Sequence, residues 1–275
     1  VVPLAVDVEI LCIGNELLIG KIMNTNAHWL AQQITALGAN VRRITVIQDI
    51  TDEIASAIAE IVARKPSFLI TTGGLGPTFD DITLQGVAKA LNRKLEVNLQ
   101  ALEMVKEKIR EYAITRGLPA DLDMTHPRLK MAMMPENIKV VTNPIGTAPA
   151  AHAEINGTSL FVLPGIPAEM EKIFTQTIAT LIKKITGSRV FCQRSIFTEG
   201  IVESVLAPLI DEVMCDNPRV YIKSHPLKSE NMALEELHLT INAEEECKPL
   251  KVIKKATAQL IASIEAKGGK ILSET

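Results

Sequence analysis

Residues 71–83 read TTGGLGPTFDDIT; they follow the apolar run Phe68-Leu69-Ile70 and precede a helical pattern of Ile82, Val87, Ala88 and Leu91. A short apolar run rich in aromatic and β-branched residues reads as a buried strand, and apolar residues at helical spacing read as a helix. The stretch is therefore expected to be a strand-to-helix turn. Gly73, Gly74 and Gly76 lack a Cβ, so backbone N–H groups there can approach a ligand closely, and the following helix points its positive dipole end at the same place. That outlines an anion site.

The acidic pair Asp80-Asp81 stands at its mouth. A carboxylate about 4 Å from a phosphate meets repulsion of about 4 kcal/mol at an effective dielectric of ~20, whereas a helix N-terminus returns only about 0.3–1 kcal/mol. Repulsion wins unless a cation intervenes. The loop is thus expected to join an Asp to a nucleotide-like phosphate through a divalent metal, Mg²⁺ above all, with Co²⁺ or Mn²⁺ as other options. The alternative is that Asp81 caps the next helix and the glycines only make a tight turn.

Upstream, residues 7–13 (DVEILCI) form a near-continuous apolar strand ending in Gly14-Asn15-Glu16, the way a parallel-sheet strand delivers polar residues to its C-terminal edge. Ala27, Leu30, Ala31, Ile34 and Leu37 then mark a helix that stops at Gly38, with Asn24 and Asn26 as caps or as ligand contacts. Residues 41–47 make the next strand, and Thr51-Asp52 would cap the helix of Ile54, Ile58, Ile61 and Val62, freeing Asp49 at the same sheet edge. Strand, helix, strand, helix, strand with short connections implies right-handed crossovers and an α/β fold with a doubly wound, mainly parallel sheet.

Downstream, residues 98–113 form a helix capped by Asn98, and residues 115–135 are less regular, with Arg128, Lys130 and three methionines either bordering a pocket or covering the sheet. The loop TNPIGTAP, residues 142–149, brings Asn143 and Gly146. Two strands, 151–155 and 159–163, joined by the hairpin signal Asn156-Gly157, run into Pro164-Gly165-Ile166-Pro167 and a helix of Met170, Ile173, Phe174, Ile178 and Leu181. This is a second glycine turn between a strand and a helix. Gly187-Ser188 reads as a boundary between residues 1–187, the larger α/β domain, and residues 188–275, a smaller α+β domain with Leu237, Leu239 and Ile241 facing inward on an alternating strand. Lys223-Ser224-His225 is expected to end a strand there, as a solvated basic turn or as a phosphate contact.

The 275 residues carry a formal net charge of −3 and 3% aromatics, which argues against nucleic acid as a partner and for local handling of an anionic substrate. Cys12, Cys192, Cys215 and Cys247 form no CxxC pair and the histidines no zinc spacing, so a reduced, cytoplasmic setting without structural zinc is expected. No run of about 20 apolar residues suggests a membrane span, residues 1–5 (VVPLA) read as a processed or added end, and a homo-oligomer is expected. The glycine stretch matches neither GxxxxGK[ST] nor the dinucleotide fingerprint, and no GxSxG occurs. What remains is Glu16, Asn24, Asp49, Asp80, Asp81 and Asn143 at one sheet edge, a set suited to metal-assisted attack by water or another oxygen nucleophile on a phosphoanhydride.

GNELLIGKIMNTNAHWLAQQ, QDITDEI, TTGGLGPTFDDIT, NPIGTAPA and LPGIPAEMEKIF occur in this order. Together they resemble the molybdopterin-binding-fold domain of the CinA (competence/damage-inducible) family over residues 8–181. YIKSHP with the alternating strand is similar to that family's small second domain. The resemblance implies a metal-dependent pyrophosphatase acting on ADP-ribose, FAD or related dinucleotides. It implies Asp49 and Asp81 as the functional acids and metal ligands, Asp80 as an assisting acid, and Gly73, Gly74 and Gly76 at the phosphate. Thr72, Glu16, Asn24, Asn143, Gly146, Pro164 and Gly165 complete the expected substrate site. The amidohydrolase domain of many bacterial members has no counterpart here, so deamidase activity is not implied, and Ala150 stands where the family usually has glycine after NPxGTAP. A pterin-binding or pterin-adenylylating protein, and a non-catalytic nucleotide-binding protein, are the alternative readings of the same edge.

Overall fold

The computed structural model describes residues 6–117, 123–227 and 234–275; the expected processed end at residues 1–5 lies outside the described residues. The chain divides into two units, Val1–Thr35 with Ala39–Ile185 and Ala36–Gly38 with Thr186–Thr275. Through the first run β1 (Asp7–Ile13), α1 (Asn15–Leu18), α2 (Thr25–Ala36), β2 (Asn40–Ile47), α3 (Thr51–Ala63), β3 (Phe68–Thr72) and α4 (Thr83–Ala90). They are followed by β4 (Leu95–Val97), α5 (Leu99–Thr115), α6 (His126–Lys130), β5 (Met133–Pro135), β6 (Lys139–Val141), β7 (Ala150–Ile155) and β8 (Thr158–Leu163). Then come α7 (Pro167–Ile173) and α8 (Ala179–Thr186), joined by a π-turn at Phe174–Ile178.

The main sheet has the order β2-β1-β3-β8-β7-β6. Its first four strands are parallel, and β7 and β6 add an antiparallel edge. The mainly parallel expectation holds. Chain order reverses beside β1: one crossover leads out to β2, the next returns past β1 to β3. Such a reversal opens a crevice at the strands' carboxyl ends, the place where ligands bind in open α/β sheets. Register makes the crevice level, because Cys12 pairs with Thr72 and Thr72 with Leu163, so Ile13, Gly73 and Pro164 leave the sheet side by side.

Period-two alternation sends the strand residues to two apolar layers, as a sheet covered on both faces requires. Leu11, Ile13, Leu69, Leu160 and Val162 pack with Ile54 and Ile58 of α3, Val87 of α4 and Val105 and Ile109 of α5. On the opposite face Ile10, Cys12, Phe68, Ile70 and Phe161 are buried, and Trp29 of α2 meets Phe174 edge-on at 5.5 Å. Cys12 is thus a core residue, and burial pushes its thiol up.

Local chemistry agrees at several points. Asn98 accepts from the Ala101 amide at 3.0 Å and caps α5, and Asn156 and Gly157 both take positive φ in the β7–β8 hairpin. The expected cap at Thr51-Asp52 is not made: Ile50 is the N-cap of α3 without a side-chain bond, and Asp52 pairs with Lys89 at 2.6 Å. The three-residue strands β4, β5 and β6 escape sequence reading because they are too short to show alternation. Met134 takes the covering role, whereas Met131, packed on the same core, and Met133 each border a cavity. No helix among the described residues is long and apolar enough to cross a membrane.

The second unit contains β9 (Arg189–Glu199), α9 (Glu203–Asp216), β10 (Tyr221–Leu227), β11 (Leu234–Glu244), α10 (Pro249–Ala266) and β12 (Lys270–Glu274). They form an antiparallel sheet of order β10-β11-β9-β12 with the two helices packed on it. Leu237, Leu239 and Ile241 face that core as alternation requires. Lys223-Ser224-His225 lies inside β10 rather than at its end, and the Ser224 hydroxyl donates to Glu203 at 3.0 Å.

Gly86, inside α4, gives a test of the packing. Replacing a helical glycine with alanine gains about 1 kcal/mol in propensity, but a Cβ at Gly86 would lie 2.4 Å from Cγ2 and 2.5 Å from Cβ of fully buried Ile54. Overpacking of that kind costs about 1–3 kcal/mol, so Gly86→Ala is expected to lower the urea midpoint rather than raise it.

Candidate functional site

Three turns meet at the crevice. Gly73 is pinned by all of them: its N–H donates to Leu163 O at 3.1 Å, its carbonyl accepts from the Thr83 hydroxyl at 2.8 Å, and a Cβ on it would stand 2.1 Å from Ile13 O. Its φ of +112° also favours glycine. A Cβ on Gly74 would meet Thr83 Oγ1 at 2.2 Å and one on Gly76 would meet Asp81 Oδ2 at 2.6 Å. The glycines are therefore demanded by packing around the loop. The expectation that Gly73 offers its amide to a phosphate is corrected, since the sheet edge already uses that N–H. The N–H groups of Gly74, Leu75 and Gly76 instead have no acceptor among the described residues. Three successive unpaired amides make an anion-binding concavity.

Thr72 and Asn26 fasten the neighbouring turn. The Thr72 hydroxyl donates to Pro164 O at 2.9 Å, and the Asn26 amide donates to Thr72 Oγ1 at 2.9 Å and to Gly165 O at 2.8 Å. Asn24 accepts from the Ala27 amide at 3.1 Å and so caps α2. Thr72 and Asn24 line a cavity of about 260 Å³ behind this turn. Glu16, Asp49, Asp80, Asp81, Gly73, Gly74, Gly76, Pro164 and Gly165 line a larger cavity of about 510 Å³. The crevice thus brings most of the expected residues to one place.

Within it the acids are held in different ways. Asp49 Oδ2 accepts from the Asn15 amide at 2.8 Å, and partial burial first, then the charges of Glu16, Asp80 and Asp81, raise its pKa above the ordinary carboxylate value. Asp81 does not cap α4, whose N-cap is Ile82; its Oδ2 accepts from the Thr78 amide at 2.8 Å and from the Thr78 hydroxyl at 2.7 Å. The same hydroxyl lies against Asp80 Oδ1. One hydroxyl carries one proton, so it can satisfy only one of the two carboxylates at a time. That hydroxyl first, then the backbone N–H of Asp80 itself and last the Lys130 ammonium lower the Asp80 pKa, and Lys130 Nζ donates to Thr78 O.

Asn143 and Gly146 are not in this cavity. Asn143 is buried, its amide donating to Glu169 Oε2 at 2.7 Å and to Ala148 O at 2.9 Å while its carbonyl accepts from the Gly146 amide at 2.8 Å. A Cβ on Gly146 would come within 2.0 Å of Glu169 Oε2. Both residues therefore seat Glu169, a buried acid on the cavity wall that sequence reading missed, whose pKa burial raises. Its signal was an acid in the first turn of a helix opening with Pro167. Arg128, tied to Asp123 O at 2.7 Å, does not reach the cavity lining.

Among the described residues no three acidic, histidine or cysteine side chains converge closely enough to cage a metal unaided. Mg²⁺ generally keeps several waters and is held by one or two carboxylates plus substrate phosphates. The donor set fits: Asp49 and Asp81 each have Oδ1 outside the hydrogen bonds just described, and their mutual repulsion is relieved by a cation.

Residues 9–184 match the family described as "Probable molybdopterin binding domain". A protein of Pyrobaculum calidifontis is 43% identical over 259 residues, 94% of this chain and 95% of that one. One of Metallosphaera sedula is 44% identical over 218 residues, 79% and 78% of the two chains. The crystal structure of the protein CinA, described as of unknown function, from Thermoplasma acidophilum is 35% identical, covers 64% of this chain and 98% of its own, and superposes with a TM-score of 0.57.

Glu169 tests the electrostatics. Because its folded pKa is raised, the unfolded chain sheds the proton first as pH rises above the ordinary carboxylate value of about 4, and folding is penalised from there upward. Glu169→Gln keeps an acceptor for Asn143 and removes the titration. Its melting temperature is expected to exceed that of the wild type at pH 7–8 and to converge with it near pH 4, as thermal unfolding across that range will show.

Proposed function

The chain belongs to the CinA branch of the probable molybdopterin binding domain family, and we propose that it is a divalent-metal-dependent hydrolase of phosphoanhydrides, acting on ADP-ribose, FAD or a related dinucleotide. The observation that carries this reading is the set of three unpaired amides at residues 74–76 beside Asp49, Asp80 and Asp81 in one cavity. Amides fixed before the substrate arrives stabilise charge on phosphoryl oxygens without reorganising. Bound Mg²⁺ would neutralise the phosphate charge that the carboxylates repel and polarise the phosphoryl oxygens.

In this reading Asp81 and Asp49 would hold the metal, and Asp80, kept ionised beside the Thr78 hydroxyl, would assist. Asp49 orients the attacking water. The water's proton passes to a carboxylate of this cluster as the new P–O bond forms and the bridging P–O bond breaks, the electron pair leaving on the departing phosphate. Glu16, Pro164 and Gly165 line the same cavity. The family's description favours a second reading, in which the same amides hold the phosphate of a pterin for binding or adenylylation.

Turnover of ADP-ribose with Mg²⁺, Mn²⁺ or Co²⁺, scored as released monophosphate, separates the two. Asp81→Asn retains an acceptor for Thr78, and both it and Asp49→Asn are expected to lower kcat by about 100-fold or more. Unchanged metal-dependent turnover in Asp81→Asn defeats the assignment. Tight pterin binding without any dinucleotide hydrolysis supports the second reading.

A further inference from the structure

A second cavity, of about 500 Å³, lies on the other side of the glycine loop. It shares Gly74, Leu75, Gly76, Pro77 and Asp81 with the acidic cavity, so residues 74–77 are a common wall. The two chambers differ in chemistry. The acidic one carries Glu16, Asp49, Asp80 and Glu169 besides the shared Asp81, whereas the second adds to Asp81 the apolar Leu84 of α4, Leu95 of β4, Leu129 of α6 and Met133 of β5, with Gln85, His126 and Lys130 as its other polar groups. Its volume and its largely apolar lining with few polar groups are those of a site for a flat organic ring.

Phe79 decides what such a ring would meet. It is 92% exposed, the most exposed of the large apolar side chains among the described residues, and it lines this second cavity alone of the two. An aromatic face left in water at the rim of an apolar chamber gains from burial and stacking when a base or pterin covers it, against the rotamer freedom it gives up. The unpaired amides belong to residues 74–76, which with Pro77 and Asp81 line both cavities. A diphosphate on those amides would have one end directed to each side.

Resting on the hydrolase reading above, we propose that this second cavity is the ring subsite: it takes the aromatic heterocycle at one end of the phosphoanhydride substrate, stacked on Phe79, while the diphosphate straddles residues 74–77. Specificity for a ring-bearing end would then be set by Phe79, Leu95 and Leu129, and reaction by the acids across the loop.

The test compares two ligands on the full chain with Mg²⁺ present: ADP, which carries a ring, and inorganic pyrophosphate, which does not. Phe79→Ala changes an exposed side chain. It is expected to weaken ADP about tenfold, within the range found for removing a stacked aromatic, and to leave the pyrophosphate dissociation constant within twofold of wild type. Leu95→Trp, which fills the chamber from its strand wall, should do the same. Equal loss of both ligands, or no loss of ADP in either variant, overturns the subsite. The two proposals fail separately: ring-dependent binding without hydrolysis keeps the subsite and removes the hydrolase, and hydrolysis indifferent to Phe79 does the reverse.

Discussion

The backbone of Gly73 is the joint on which the site depends. Its N–H, its carbonyl and the face where a side chain would stand are all occupied, by Leu163 O, the Thr83 hydroxyl and Ile13 O respectively. Strands β8 and β1 and the start of α4 are thereby fixed relative to the end of β3. The turn that follows is closed onto α4 by the Thr83 N–H, which donates to Gly74 O at 3.2 Å, while its next three amides stay unpaired. An anion site results from the way a strand-order reversal has to be closed.

Against that fixed frame the acids are a cost. Asp49 is driven toward its neutral form by burial and by three neighbouring carboxylates, and Asp80 and Asp81 converge on one Thr78 hydroxyl. The Thr78 hydroxyl can donate to only one of these two carboxylates at a time, and the like charges repel one another. Stability alone gives no reason to cluster such groups, and perturbed carboxylates in a cleft are characteristic of working sites. Glu169, seated by Asn143 and Gly146 on the opposite wall, adds a buried acid under the same kind of strain.

Much of this was legible in the sequence because it rests on periodicity. The apolar runs of β1, β3 and β8, the helical spacing of α2 to α5 and the Asn156-Gly157 turn follow from burial and turn sterics alone. The loop acids could also be placed at one edge, since a parallel sheet delivers its loops there. What escaped depends on contacts distant in the chain. Asn143 looked like a substrate contact, but its partner Glu169 lies 26 positions away, and only the folded loop shows that it serves that acid. The glycines of the loop looked like phosphate contacts, whereas Gly73 answers to Ile13, 60 positions earlier. Strands β4, β5 and β6, at three residues each, carry too little pattern to be seen.

A phosphate on the amides of residues 74–76 needs a cation to reconcile it with the acids around them. Calorimetric titration of the full chain with pyrophosphate, in Mg²⁺ and again in excess chelator, measures this directly. Binding is predicted with Mg²⁺ and its loss without it, with Asp81→Asn regaining part of the metal-free affinity because one repelling charge has gone. Equal affinity in chelator and in Mg²⁺ would contradict the account, since the amides alone would then hold the anion.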